Sequence, residues 1–280
     1  MDKLRKFLAE AFGVMMFVFV IVGAWVILEI NQSISSAPLL LPMIIFPTVA
    51  ALVYCLGNVS GAHLNPAVTF GMYVGGKISG IDTLIYMGGQ LLGAVVGSLS
   101  LFLFNDFFDM RGYYLFGLNQ IMGNSGGYSY IIQTFILEAV LSLLFVYVFL
   151  VASGKKGGVK KSSFIVGGTY SALFTLTIFI TGGSLNPARA LGGTLVDLIF
   201  NGSSFSDVSD VWLFIAAPFA GALLASFLYM LFNKNTEAPA NDEDNDEAGD
   251  EEYNAWDIEE GDDNAGVLTE EVNVEEVPAE

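Results

Sequence analysis

The 280-residue chain holds a single cysteine and a single histidine. With only Cys55, no intrachain disulfide can form, and Cys55 falls inside an apolar run where it reads as a small buried hydrophobe. Charge is scarce: 14% of residues are charged, against ~25% in a soluble domain. No metal-ligand cluster and no nucleophile beside a base can be assembled from the sequence, so neither a cofactor nor an enzymatic reaction is expected. Basic residues number eleven, too few and too dispersed for a nucleic-acid surface.

What is present is apolar. Hydrophobic residues make up 54% of the chain, and the mean hydropathy is +0.60. The excess sits in blocks of about twenty residues, the length a helix needs to cross ~30 Å of hydrocarbon. Six spans are predicted, at 7–30, 38–57, 81–104, 130–152, 163–181 and 211–232. The first follows Lys3, Arg5 and Lys6 like a signal peptide. However, it is too long, contains Glu10 and lacks a small-residue cleavage site, so a retained helix is expected.

The net charge of −18 divides unevenly. Residues 237–280 carry 19 of the 29 acids and no base, leaving ten acids against eleven bases in residues 1–236. Residues 1–234 are therefore expected to form a near-neutral membrane domain, and residues 235–280 an acidic, disordered tail. With the N-terminus inside, nine of the eleven bases fall on the cytoplasmic side. That bias places both termini in the cytoplasm of a multi-pass protein, in the plasma membrane or an intracellular vacuolar membrane.

Two apolar stretches, 66–76 and 187–198, are too short to span. Each follows Asn-Pro-Ala. Irregular backbone at membrane depth survives only where it lines a cavity or is buried in protein, so these read as half-helices at a pore or transport site. The chain also repeats itself. SGAHLNPAVTFG (60–71) matches GGSLNPARALGG (182–193), and AEAFG (9–13) matches LEAVL (137–141). The two units, about 7–104 and 130–232, hold three spans each. An odd number inverts the second copy, which puts the site at the repeat interface near the midplane.

Asn-Pro-Ala is a sound helix start. Asn caps, and Pro at the first helical position loses an N–H that would be unpaired anyway. Asn65-Pro66-Ala67 and Asn186-Pro187-Ala188 would bring two half-helices together N-terminus to N-terminus, each with roughly half a positive charge. A water molecule between them turns its oxygen to both Asn amides. That orientation breaks the wire along which protons hop, and the positive ends repel cations.

The two loops resemble the signature loops of the aquaporin, or major intrinsic protein, family, over residues about 7–233. The resemblance implies an all-α membrane protein of six transmembrane helices plus two re-entrant half-helices in an inverted repeat. It further implies a homotetramer in the lipid bilayer, each subunit a passive channel for water or small neutral solutes.

By resemblance, Arg189 is the filter arginine of one constriction, joined by Gly183, Phe174 and Ile45, with Phe46 one residue away as the alternative to Ile45. The set departs from both main branches. Phe174 stands where water channels carry His, and Phe and Gly are exchanged relative to glycerol facilitators. Ala190 after the arginine and Phe214 fit the water branch, but Ile215 replaces its usual Trp. Water is thus the expected main solute, with glycerol, urea, ammonia or peroxide as alternatives. A closed-pore structural or junctional protein is a competing reading; a coupled transporter would need charged groups beyond Glu10, Glu138 and Arg189.

The resemblance makes Glu10 and Glu138 supports for the re-entrant loops, and His63 reads as a loop-packing residue whose carbonyl could line the pore. Gly89, Gly93 and Gly97 repeat every four residues, as in close helix packing. The basic segment GKKGGVKKSS (154–163) makes Ser162 and Ser163 candidate phosphorylation sites. The acidic tail is a candidate for binding a cytoplasmic partner, or for folding back on the basic loop 155–161. Asn31 and Asn201 are glycosylation sequons on the expected outer face.

Overall fold

The computed structural model describes residues 1–30, 36–104, 128–154, 158–201 and 208–233. The expected acidic tail, Asn31 and residues 155–157 of the basic loop 155–161 lie outside these residues. The described part belongs to one compact unit, Met1–Thr236.

Among the described residues there are eight α-helices and no strand. They are α1 (Asp2–Ile30), α2 (Ala37–Ser60), α3 (Pro66–Val74), α4 (Gly80–Leu103), α5 (Tyr128–Ser153), α6 (Gly158–Thr181), α7 (Pro187–Val196) and α8 (Leu213–Asn233). Five of them, α1, α2, α4, α5 and α8, are long and apolar enough to cross a membrane. The remaining expected span, 163–181, lies in α6, whose 24 residues equal α4 in length and begin in the basic run Val159-Lys160-Lys161. Five of the six expected spans began late, and the last began two residues early. Helical hydrogen bonding continues past the apolar blocks, into Asp2-Lys3 at the start of α1 and through Gly158–Ser162 at the start of α6.

The order long, long, short, long occurs twice, and the packing repeats with it. Helix α1 packs on α4, and α5 on α8; α1 also packs on α2, and α5 on α6, while α2 and α6 pack on each other across the two repeats. The glycines of α4 explain how close α1 comes: a Cβ at Gly89 or Gly97 would press on the Phe7 or Met15 carbonyl of α1, and one at Gly93 on that of Ala11. In the second repeat a Cβ at Gly221 of α8 would meet the Ala139 carbonyl of α5 in the same way. Small residues thus set the interhelix distance in both halves.

The short helices cross over. Helix α3 lies mainly against α8 and also touches α5, and α7 lies against α4, so each docks largely on the other repeat. The Ser226 hydroxyl of α8 donates to the Gly71 carbonyl of α3 (2.9 Å), and Gly192 of α7 lies against the backbone of Ala94 in α4. At ~1.5 Å per residue, the nine residues of α3 and ten of α7 reach roughly 14–15 Å, about half the hydrocarbon.

Candidate functional site

Both half-helices begin as their sequences require. Asn65 and Asn186 are extended N-cap residues, each followed by Pro at the first helical position. The Asn65 side-chain oxygen accepts from the Ala67 N–H (2.8 Å), and that of Asn186 from the Ala188 N–H (3.1 Å) and, at longer range, Arg189 (3.4 Å). Proline removes one of the unpaired donors and the Asn oxygen satisfies another.

The Asn nitrogens then tie the repeats together. Asn65 Nδ2 donates to the Leu185 carbonyl (2.7 Å), and Asn186 Nδ2 to the Leu64 carbonyl (2.9 Å). Each Asn therefore reaches across the centre to the residue preceding the other. An amide NH2 has two hydrogens, so one N–H per Asn is left after this bond. Both Asn side chains border the same cavity of about 20 Å3. A cavity of that size holds one water, which needs ~10–15 Å3.

The cross-bonds require an unusual backbone. Leu64 (φ +52°) and Leu185 (φ +57°) both adopt the left-handed region, as does Ala62 (φ +48°). A branched residue there costs on the order of 1–3 kcal/mol and persists only where its surroundings enforce it. Buried carboxyl groups do so. Glu10 Oε2 accepts from the Leu64 N–H (2.7 Å), and Glu10 Oε1 from the His63 N–H (3.0 Å) and the Ser60 hydroxyl (2.6 Å). In the second repeat Glu138 accepts from the Leu185 N–H (2.9 Å) and the Thr181 hydroxyl (2.6 Å), with the Ser184 N–H beside them. Both glutamates are fully buried.

Sequence reasoning set the two acids against the re-entrant loops but did not find their side-chain partners. Ser60 and Thr181 stand five residues before Asn65 and Asn186; reading the repeat at that position would have paired them. Gln90 was also missed: its amide donates to Glu10 Oε2 (2.7 Å) and to the Thr69 hydroxyl (2.8 Å). His63 packs between Tyr86 (4.9 Å) and Phe149 (5.6 Å), with Nδ1 3.2 Å from Thr69 Oγ1.

Three of the four expected filter residues meet. The Arg189 guanidinium donates from Nη2 to the Gly182 carbonyl (2.9 Å) and lies over the Phe174 ring at 5.5 Å. Gly183, at φ +65°, lies so close to that ring that a Cβ would be 2.6–2.8 Å from it. Ile45 is fully buried in the apolar core. Phe46 is turned elsewhere: its ring stacks edge-on with Phe164 at 5.0 Å, beside Gly168 of α6.

From Phe174 a run of rings continues inward. Tyr170 lies 5.8 Å from Phe174, 5.3 Å from Phe17 and 5.1 Å from Phe145, and Phe145 lies 6.4 Å from Phe149. Tyr170, Phe17, Phe145 and Phe149 all border the cavity of the two Asn residues. Past Phe149, Val53 and Val166 a second cavity of about 210 Å3 opens at the N-terminal end of α6, reaching Ser153, Val159 and Ser162. Ser162 is half-buried there and donates to the Ala152 carbonyl (2.9 Å). Ser163 is buried, its hydroxyl on the Lys160 carbonyl (2.8 Å). The backbone of Asn201 ends a π-helical turn, Asp197–Asn201; its side chain is outside the described set.

The sequence profile of the major intrinsic protein family matches residues 1–229. The chain is 33% identical to the glycerol uptake facilitator protein-like 6 of Lactiplantibacillus plantarum, over 80% of this chain and 96% of that protein. It is 27% identical to aquaporin Z of Rhodopseudomonas palustris, over 82% and 93% respectively. The fold is similar to the X-ray structure of the aquaglyceroporin from Plasmodium falciparum, with a TM-score of 0.70 at 24% identity, covering 81% of this chain and 95% of that one. Two capped half-helices crossing between inverted repeats, and a family match over nearly all the described helices, lead to one conclusion: the chain belongs to the major intrinsic protein family and is a multi-pass membrane channel, not an enzyme.

Proposed function

We propose that this channel passes water as its main solute and excludes protons and ions. The observation that carries the reading is the cavity of about 20 Å3 between Asn65 and Asn186, room for a single water. The two half-helix N-termini and the Asn N–H groups would hold the water oxygen, while Arg189 repels cations at the filter. Ala190 and Phe214 fit the same branch. Residues 1–234 would form the channel domain of a homotetramer with both termini cytoplasmic, and residues 235–280 an appended acidic tail.

A second reading, passage of glycerol or another small neutral solute, is favoured by the 33% identity to a glycerol uptake facilitator-like protein. Stopped-flow permeability of proteoliposomes to water, glycerol and urea, for the wild type and Phe174→His, separates the two. Water should pass well ahead of the others, and the His variant should shift the ratio further toward water. Glycerol passing as fast as water through the wild type would make the second reading correct. No permeability above empty liposomes would favour a closed, structural pore.

A further inference from the structure

We infer that a cavity between α1, α2 and α4, on the outer side of the first repeat, holds one acyl chain of a bilayer phospholipid.

The cavity has a volume of about 280 Å3, and the described residues that border it are all apolar. Its floor is Val26 of α1 and Leu101 of α4, both buried. Around them Phe19, Gly23 and Ala24 of α1 and Ile44 of α2 are partly exposed, and Ile27 is exposed. The space therefore opens at the surface of the chain. None of its described lining residues borders the cavity of Asn65 and Asn186. All of them lie within the apolar spans of three membrane-crossing helices, so the opening meets hydrocarbon and not water.

Small residues create the space. Gly23 leaves Leu101 uncovered, and a Cβ there would already lie 3.2 Å from Leu101 Cδ2. The second repeat treats the matching place differently. Its ring pair Tyr147–Phe232 (6.5 Å) lies 128 residues after Phe19–Phe104 (6.0 Å). At the same offset Val151 replaces Gly23 and Tyr229 replaces Leu101, both larger. The fold thus does not require the opening; the side chains of the first repeat make it.

The shape selects the occupant. Phe19, Gly23 and Ile27 stand four residues apart, so they lie along one face of α1 over ~12 Å of its axis. A flexible acyl chain runs in that direction in a bilayer. An apolar cavity of ~150 Å3 stays dry and takes a benzene ring; about 280 Å3 has room for a longer run of methylenes. Lipid tails gain nothing from hydrophobicity by moving onto the protein, so packing drives occupancy. An empty groove would forfeit the dispersion contacts of its lining.

The test uses the full chain in phosphatidylcholine liposomes that contain a phosphatidylcholine with a diazirine on one acyl chain. After irradiation, adducts are mapped on peptides by mass spectrometry. Residues 19–27 should carry at least about fivefold more adduct than the matching residues 147–153 of α5, because the held chain stays in contact. Gly23→Leu fills the groove and should cut adducts at 19–27 by about the same factor. Ala24→Leu should do likewise, and guards against disturbance of the α1–α4 contact by the first variant. Elution in detergent as for the wild type shows that each variant folds. Adducts spread evenly over α1 and α5, or unmoved by both substitutions, would overturn the inference. So would adducts missing from 19–27 while a photo-crosslinking residue at position 27 captures a second copy of the chain, which would make that copy the occupant.

Discussion

In the first repeat, Glu10 gathers the Ser60 hydroxyl, the His63 and Leu64 N–H groups and the Gln90 amide, and Gln90 continues to Thr69. In the second, Glu138 gathers the Thr181 hydroxyl and the Leu185 N–H, with Ser184 beside them. The position matching Thr69 is Ala190. The two loops share what the backbone demands: a left-handed Leu before a capping Asn, held by a buried acid and a hydroxyl. They differ in what is added. The first loop receives a polar network through Gln90 and Thr69. The second gives the position matching Val68 to Arg189 and the one matching Ala62 to Gly183, where Phe174 needs the space. Shared features thus belong to the fold.

The sharpest test removes the shared acid from each side. Glu10→Ala strands the Leu64 and His63 N–H groups and the Gln90 amide, each buried donor costing on the order of 1–3 kcal/mol. Glu138→Ala strands fewer. Both should abolish water permeability, with Glu10→Ala lowering the melting midpoint in detergent further. Equal midpoints would mean that the Gln90 network adds no stability.

Helix spacing comes next. Gly93→Val and Gly221→Val should destabilise comparably, by about 1–3 kcal/mol or more, because each drives a side chain into the carbonyl of the partner helix. Chemical denaturation of the two variants checks this, and a large difference would break the equivalence of the α1–α4 and α5–α8 interfaces.

The filter is where the repeats should differ. Arg189→Val, which copies Val68, should leave the fold intact and raise leakage of protons and cations, read with a pH-sensitive dye in liposomes. Gly183→Ala should displace the Phe174 ring and cut water flux severalfold. The converse change, Ala62→Gly, relieves a left-handed Ala and should alter stability by no more than about 1 kcal/mol.

The repeat made much of this legible. Asn65 with Asn186 and Glu10 with Glu138 stand at corresponding places in the two repeats, 121 and 128 residues apart, and proline after asparagine marks where each half-helix begins. Arg189 and Phe174 were placed by resemblance, and the structure brings them together with Gly183. Part of what escaped is what the repeat does not duplicate. Gln90 and Tyr170 are single residues in apolar helices, and their importance depends on which helix faces them. The left-handed Leu64 and Leu185 escaped because nothing in leucine announces that conformation. Tyr170 did leave one clue: it shares a helical face with Phe174, four residues on.

The central claim is that two half-helices meet at one water-sized cavity, where Asn65 and Asn186 bind across to each other's loop. Its most direct test records osmotic shrinkage and internal pH together, in the same proteoliposomes, under an osmotic and a pH gradient. The account predicts water flux well above empty liposomes with proton flux equal to theirs. Proton flux rising in step with water flux would contradict it.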